Sequence, residues 1–200
     1  MKKLATIAFI SASVILSAKT YAIIPNNTGQ PGFYVSGFGG ISYLQDQFYA
    51  GDNIGNRVSY KLGFNGGGRV GYKRGPWETA LDSLFVANGG KNNAPRLNAI
   101  EYMLTAVHSF DLGIRWVPYA GLGAGALTWL PRGNKNITTF AYKTILGVGY
   151  QFNPNLRLFF EFNHIATSAG SFGSGATKRR AYYQNNLGNI GFTYFFSKNY

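Results

Sequence analysis

Apolar and polar residues alternate with a period of two along most of the chain, the spacing of a strand whose two faces meet different surroundings. From Gly32 the text GFYVSGFGGISYL puts Phe33, Val35, Ile41 and Tyr43 on one face. Residues 58–72 set Leu62, Phe64, Val70 and Tyr72 against Lys61, Asn65 and Arg69. Residues 76–86 set Trp77, Leu81 and Phe85 against Glu78 and Asp82, and 97–109 set Ile100, Tyr102 and Leu104 against Glu101 and Thr105. Residues 139–152 oppose Phe140, Tyr142, Leu146, Val148 and Tyr150 to Lys143 and Gln151. Residues 156–166 oppose Leu158, Phe160 and Phe162 to Arg157, Glu161 and Asn163, while 186–196 carry Ile190, Phe192, Tyr194 and Phe196 in register. One further strand, 117–129, is so rich in glycine that the pattern assigns it no faces. The spacing predicts eight strands, each near the 9–11 residues that a tilted membrane strand requires.

Alternation alone also suits a soluble sandwich, so the charges decide. The strand acids Glu78, Asp82, Glu101 and Glu161 and the strand bases Lys61, Arg69, Lys143 and Arg157 all oppose the aromatic face, and they sum to zero. A sandwich would leave them in water with no reason to balance. An eight-stranded barrel has an interior that only just holds side chains, so charges inside it must pair. The expectation is an all-β fold: a closed, eight-stranded antiparallel transmembrane β-barrel with an apolar exterior, because a bilayer admits only helices or edge-free barrels. The connections alternate in length, short at 73–75, 110–116 and 153–155 and long at 45–57, 87–96, 130–138 and 167–185. Short turns are expected in the periplasm and the longer loops outside.

Residues 1–22 read as a cleaved secretory signal peptide: Met1-Lys2-Lys3, a 13-residue apolar run too short to span, then SAKTYA before the cut. Residues 23–31 follow as a periplasmic N-terminal segment, 32–196 as the barrel and 197–200 as a short periplasmic tail. Composition agrees. Charged residues make up 13% of the chain, about half the usual share of a soluble domain. Aromatics reach 16% and glycines number 27. The absence of cysteine excludes disulfide frameworks, thiolate zinc sites and cysteine nucleophiles. The net charge of +12 falls to +9 once the signal segment and its three lysines leave. With a neutral lumen, most of the excess falls on the outer loops, where Lys178-Arg179-Arg180 form a basic cluster suited to phosphates and carboxylates of lipopolysaccharide. Export makes a nucleic-acid partner a poor account of that cluster.

Four stretches resemble the small outer-membrane barrels grouped around opacity proteins and outer-membrane protein A. They are Gly32-Phe33-Tyr34-Val35, Gly68-Arg69-Val70-Gly71-Tyr72, Pro118-Tyr119-Ala120-Gly121 and the closing run Asn189-Ile190-Gly191-Phe192-Thr193-Tyr194-Phe195-Phe196. The resemblance implies that Asn189, Gly191, Tyr194 and Phe196 form the terminal signal read by the barrel-assembly machinery, although this chain runs on through Ser197-Lys198-Asn199-Tyr200. It also implies Sec-dependent export to the bacterial outer membrane. The expected partners are outer-membrane lipid, lipopolysaccharide, the assembly machinery and a surface ligand that no motif names.

Enzyme chemistry finds little support in the residues. Of the two histidines, His108 falls near the periplasmic end of its strand and His164 near the outer end of its own, so they cannot share a metal or a triad. Residues 162–166 resemble the active strand of lipid A deacylase barrels, in which a serine nucleophile follows the histidine by two residues. Here that position is Ala166, Ser168 comes four residues on, and no acid follows Glu161. Gly66-Gly67-Gly68 lacks the lysine and helix of a phosphate-binding loop. No catalytic residue, metal or cofactor is expected. The reading is a non-enzymatic barrel with a structural or surface-interaction role of adhesion or opacity type. The alternatives are a narrow porin-like diffusion channel and, behind it, a lipid A-modifying enzyme.

Overall fold

The computed structural model describes residues 31–45, 47–48, 57–92, 96–131, 136–168, 170–172 and 179–196. The signal peptide and the 197–200 tail of the sequence reading lie outside the described residues. In chain order the strands are β1 (Gly32–Leu44), β2 (Gln47–Phe48), β3 (Arg57–Val58), β4 (Gly63–Arg74), β5 (Trp77–Asn88), β6 (Leu97–Ser109), β7 (Trp116–Pro131), β8 (Ile137–Asn153), β9 (Leu156–Thr167), β10 (Gly170–Phe172), β11 (Arg179–Ala181) and β12 (Gln184–Phe196). Eight of them close a barrel in the order β1-β12-β9-β8-β7-β6-β5-β4. β12 seals it against β1 in an unbroken antiparallel register from Phe33↔Phe196 to Leu44↔Asn185. Closure leaves no unpaired strand edge, the condition for a sheet in hydrocarbon.

Two departures from the sequence pattern stand out. The second barrel strand starts at Gly63 rather than 58; residues 57–58 instead pair with β2, forming a small hairpin inside the first long connection. β10 and β11 form a second such ladder inside the last one. The alternating text begins at residue 58, five residues before the barrel strand, so periodicity does not mark where the barrel ladder starts.

The pleat explains which residues face out. Phe33, Leu81, Leu104, Leu122 and Phe140 are exposed on the barrel wall, and alternate residues such as Tyr34, Ala80, Met103 and Ala141 are buried. Aromatic side chains gather at both rims: Trp77, Trp116, Phe152, Tyr194 and Phe196 at the short-turn end, and Tyr43, Phe64, Tyr142 and Tyr182 at the long-loop end. From Phe33 to Tyr43 the chain takes ten steps along β1. At about 3.3 Å per residue and a tilt of about 40°, it climbs about 25 Å, the height of a membrane barrel's apolar band.

β7, which the pattern leaves unassigned, receives its faces from its neighbours. The pairs Met103↔Gly125 and Gly123↔Lys143 turn its odd-numbered residues inward. Val117, Tyr119, Leu127 and Trp129 are therefore buried and Leu122 is exposed. Both faces of this strand carry apolar side chains, so alternation could not separate them.

Glycine inside the bore makes room for large rings. A Cβ on Gly147 would strike the ring of Tyr119, whose hydroxyl would lie 2.5 Å away. We expect Gly147→Ala to destabilise the refolded barrel by about 1–3 kcal/mol through overpacking, read as a lower urea midpoint. An unchanged midpoint would show that Tyr119 can yield.

Candidate functional site: the filled lumen

The inward faces of the strands bring eight charged side chains into the bore, all of them buried. Arg69, on β4, is central. Its Nε and Nη2 donate to the Asp82 carboxylate at 2.8 and 3.0 Å, and its Nη1 and Nη2 donate to Glu161 at 3.1 Å each. Asp82 is its direct partner across the β4–β5 ladder, whereas Glu161, on β9, is reached across the bore. The Lys143 ammonium donates to Asp82 at 2.8 Å and to Glu101 at 2.7 Å. Towards the short-turn end, Arg157 grips Glu78 in a two-pronged pair at 2.8 and 2.6 Å. Planar, charge-assisted pairs of this kind are the strong ones.

Neutral donors complete the network. Tyr119 Oη donates to Glu161 at 3.1 Å, Asn163 Nδ2 to Glu161 at 2.9 Å, Thr105 Oγ1 to Asp82 at 3.2 Å and Ser109 Oγ to Glu78 at 3.2 Å. Alternation set Thr105 on the polar face with Glu101; Tyr119 belongs to the strand whose faces the pattern leaves unassigned, and Ser109 was not singled out, because a hydroxyl in a strand carries no pattern of its own.

Seven of the eight sequence-selected charges meet in the bore; Lys61 does not. It is exposed, and its backbone N–H donates to Gly89 O at 2.7 Å beside the Tyr60↔Gly90 bridge. The chain has left the barrel ladder before Gly63, so alternation through Lys61 is no longer locked to the bore. Its place is taken by Lys73, which the connection lengths assign to a short turn. Lys73 is buried opposite Glu78 on the ladder, with its Nζ 5.0 Å from the centre of the Phe195 ring. Among the described residues the bore therefore still holds four bases and four acids.

The bore is also filled above and below this layer. Towards the long loops, Leu84, Val86, Met103, Leu127, Trp129, Ile165 and Leu187 belong to one buried apolar cluster. Over it lies a polar seal: Ser42 Oγ donates to Asn88 Oδ1 at 2.9 Å, and Asn185 Nδ2 donates to Ser42 Oγ at 2.9 Å and to Tyr183 Oη at 2.8 Å. Towards the short turns, Phe195 packs on Tyr34 with ring centres 5.6 Å apart and under the Arg157 guanidinium at 4.8 Å.

A family model described as outer membrane protein beta-barrel domain matches residues 8–196. The chain belongs to that family. Solved structures agree on the fold. Neisserial surface protein A (NspA) is 18% identical, with a TM-score of 0.63 over 82% of this chain and 97% of its own. The outer membrane protein OprG from Pseudomonas aeruginosa is 14% identical, with a TM-score of 0.59 over 86% of this chain and 100% of its own. The outer membrane protein AlkL is 14% identical, with a TM-score of 0.57 over 92% and 98%. The search of curated proteins finds no match. A barrel of this family lies in the bacterial outer membrane, and the exposed aromatic wall is its lipid-facing surface.

The remaining candidates can be placed within this outer-membrane barrel. Asn189 and Gly191 of the terminal run turn into the lumen, while Tyr194 and Phe196 face lipid with their rings 5.0 Å apart. Arg179 and Arg180 lie on β11 in the last long connection, and Lys178 lies outside the described residues. His108, near the short turns, stacks against Trp77 at 4.7 Å and Phe110 at 4.9 Å. His164, near the long loops, is half-buried on the outer wall, with its Nδ1 2.9 Å from Asn186 Oδ1. Ser168 Oγ donates to Phe140 O at 3.4 Å. Glu161, the acid nearest His164 in sequence, points into the bore and is held by Arg69. The described residues thus assemble no serine–histidine–acid arrangement, and among them no cluster suited to a metal ion occurs.

Proposed function

We propose that the protein is a plugged, non-enzymatic barrel that presents its long loops at the cell surface, with a structural or surface-interaction role. The observation that carries this reading is the filling of the bore. The ion-paired layer around Arg69, the apolar cluster around Trp129 and the Ser42–Asn88–Asn185 seal succeed one another along the axis. Solute passage would require dismantling buried pairs and packed side chains together. What remains available for interaction is the outer wall and the loops.

Planar-bilayer recording of refolded protein tests this. We expect at most brief, rare conductance events from the parent. Steady channels in the nanosiemens range would overturn the plugged reading and favour the narrow diffusion channel. Protease added to whole cells should cut within 167–185, because that loop is read as external; complete protection would reverse the orientation.

A further inference from the structure

Across β1, β12, β9 and β8 the lipid-facing wall carries a polar row directly above the apolar row Ile41, Gly188, Phe162 and Leu146. The ladder sets Tyr43 beside Asn186, Asn186 beside His164 and His164 beside Thr144. With strands about 4.8 Å apart the row runs about 14 Å, slanting with the strand tilt. His164 Nδ1 lies 2.9 Å from Asn186 Oδ1, and the hydroxyls of Tyr43 and Thr144 and the far side of the imidazole face the lipid side, where they can meet other groups. His164 stands eight residues above the β8–β9 turn and Tyr43 ten above Phe33. Both therefore lie about 20–25 Å up, near the outer edge of the apolar band.

Directly beneath the row is a shallow, wide-open depression of about 660 Å³ in the same wall, flanked by Ile41, Leu146, Phe160, Phe162 and Ile190. Its floor is Gly188, which the register places between Ile41 and Phe162. The fold does not require glycine there. A Cβ on Gly188 would meet only the Ile41 side chain, at 3.5 Å and beyond, whereas one on the inward-facing Gly147 would enter the Tyr119 ring. A second groove of about 520 Å³, over Gly68 and Ser83, serves as a contrast. The row above it is Gly66, Phe85 and Ile100, with no hydrogen-bonding side chain.

We infer that the first groove seats one acyl chain of a lipopolysaccharide molecule, with the polar row binding the headgroup and the polar atoms just below it. This rests on the long loops facing outward. A chain in the groove is held by apolar contact; hydrogen bonds at several depths then select a lipid that carries ester, amide and hydroxyl groups beneath its phosphates. A phosphorylated acyl-disaccharide offers that distribution, and a glycerophospholipid headgroup is too small to follow the whole row. Charge favours the same occupant. Arg179 and Arg180 belong to β11, in the connection that joins β9 to β12, the two strands that carry His164 and Asn186, and two cations in that connection favour an anionic, phosphorylated lipid.

The test is native mass spectrometry of the full-length refolded protein in detergent, titrated with diphosphoryl lipid A, phosphatidylglycerol or phosphatidylethanolamine. We expect one lipid A per barrel, held about ten-fold more tightly than either phospholipid, a gap of about 1.4 kcal/mol. Gly188→Phe and His164→Ala should each remove that preference, while Ser83→Phe, in the contrast groove, should keep it. If Gly188→Phe fails to fold by circular dichroism, Gly188→Leu takes its place. Equal retention of phosphatidylglycerol, parental binding by the Gly188 variant, or the same loss from Ser83→Phe would each overturn the site. Protease cutting at 167–185 on whole cells reports orientation separately. Lost binding with a cut loop therefore overturns the lipid seat alone, while a protected loop overturns the orientation.

Discussion

Arg69→Ala should lower the stability of the refolded barrel by about 3–5 kcal/mol, the usual result of removing one member of a buried ion-paired set. The arithmetic of partners explains the size. Asp82 would keep only Lys143, already shared with Glu101, and the Thr105 hydroxyl; Glu161 would keep the hydroxyl of Tyr119 and the amide of Asn163. Two carboxylates with 2% and 3% of their surface exposed would then sit beside too little positive charge. Neutralising them should reverse much of the loss, so Arg69→Met combined with Asp82→Asn and Glu161→Gln should unfold at a higher urea midpoint than Arg69→Ala. Planar-bilayer recording should reveal conductance in Arg69→Ala that the parent lacks. A midpoint equal to the parent's would mean that water already solvates these carboxylates and that the bore is not dry.

Adjacent residues of the last strand should fail in different ways. Phe195 is 5% exposed and lies among Tyr34, Lys73 and Arg157 inside the bore. Phe195→Ala should cost about 3–5 kcal/mol in refolded protein, from the cavity it leaves and from two lost cation–π contacts. Phe196 is 54% exposed on the lipid side, and Phe196→Ala should leave the refolded midpoint within about 1 kcal/mol of the parent, since little packing is removed. In cells the order should reverse: Phe196→Ala should reduce the amount of barrel reaching the outer membrane, because the exposed aromatic belongs to the run that resembles the assembly signal. Comparing urea midpoints with the folded fraction in isolated outer membranes separates the two effects. Equal losses from both variants in both measurements would refute the division between an interior residue and an assembly residue.

Much of this protein was legible before any fold was known, and the reason is local. A strand in a barrel wall has lipid on one side and a narrow bore on the other, so each strand writes its orientation in its own alternation, as in Phe160-Glu161-Phe162-Asn163. Charge neutrality of the bore was legible for the same reason, since a space that holds only side chains must balance them. What alternation cannot express is where a ladder ends and what stands across the bore. Lys61 and Lys73 exchange places between expectation and structure because the β4 ladder starts at Gly63 and runs to Arg74, a boundary set by pairing with β1 and β5. The faces of β7 were silent because Val117, Tyr119, Leu127 and Trp129 are as apolar as the lipid-facing Leu122; only its registers with β6 and β8 assign them. Tertiary structure alone pairs Arg69 with Glu161 and Arg157 with Glu78, residues 92 and 79 positions apart, because strand stagger around a closed barrel decides which inward side chains share a level. The row from Tyr43 to Thr144 has the same origin: the β12–β9 and β9–β8 registers set Asn186, His164 and Thr144 side by side, and Tyr43 joins them only when the ladder between β1 and β12 closes.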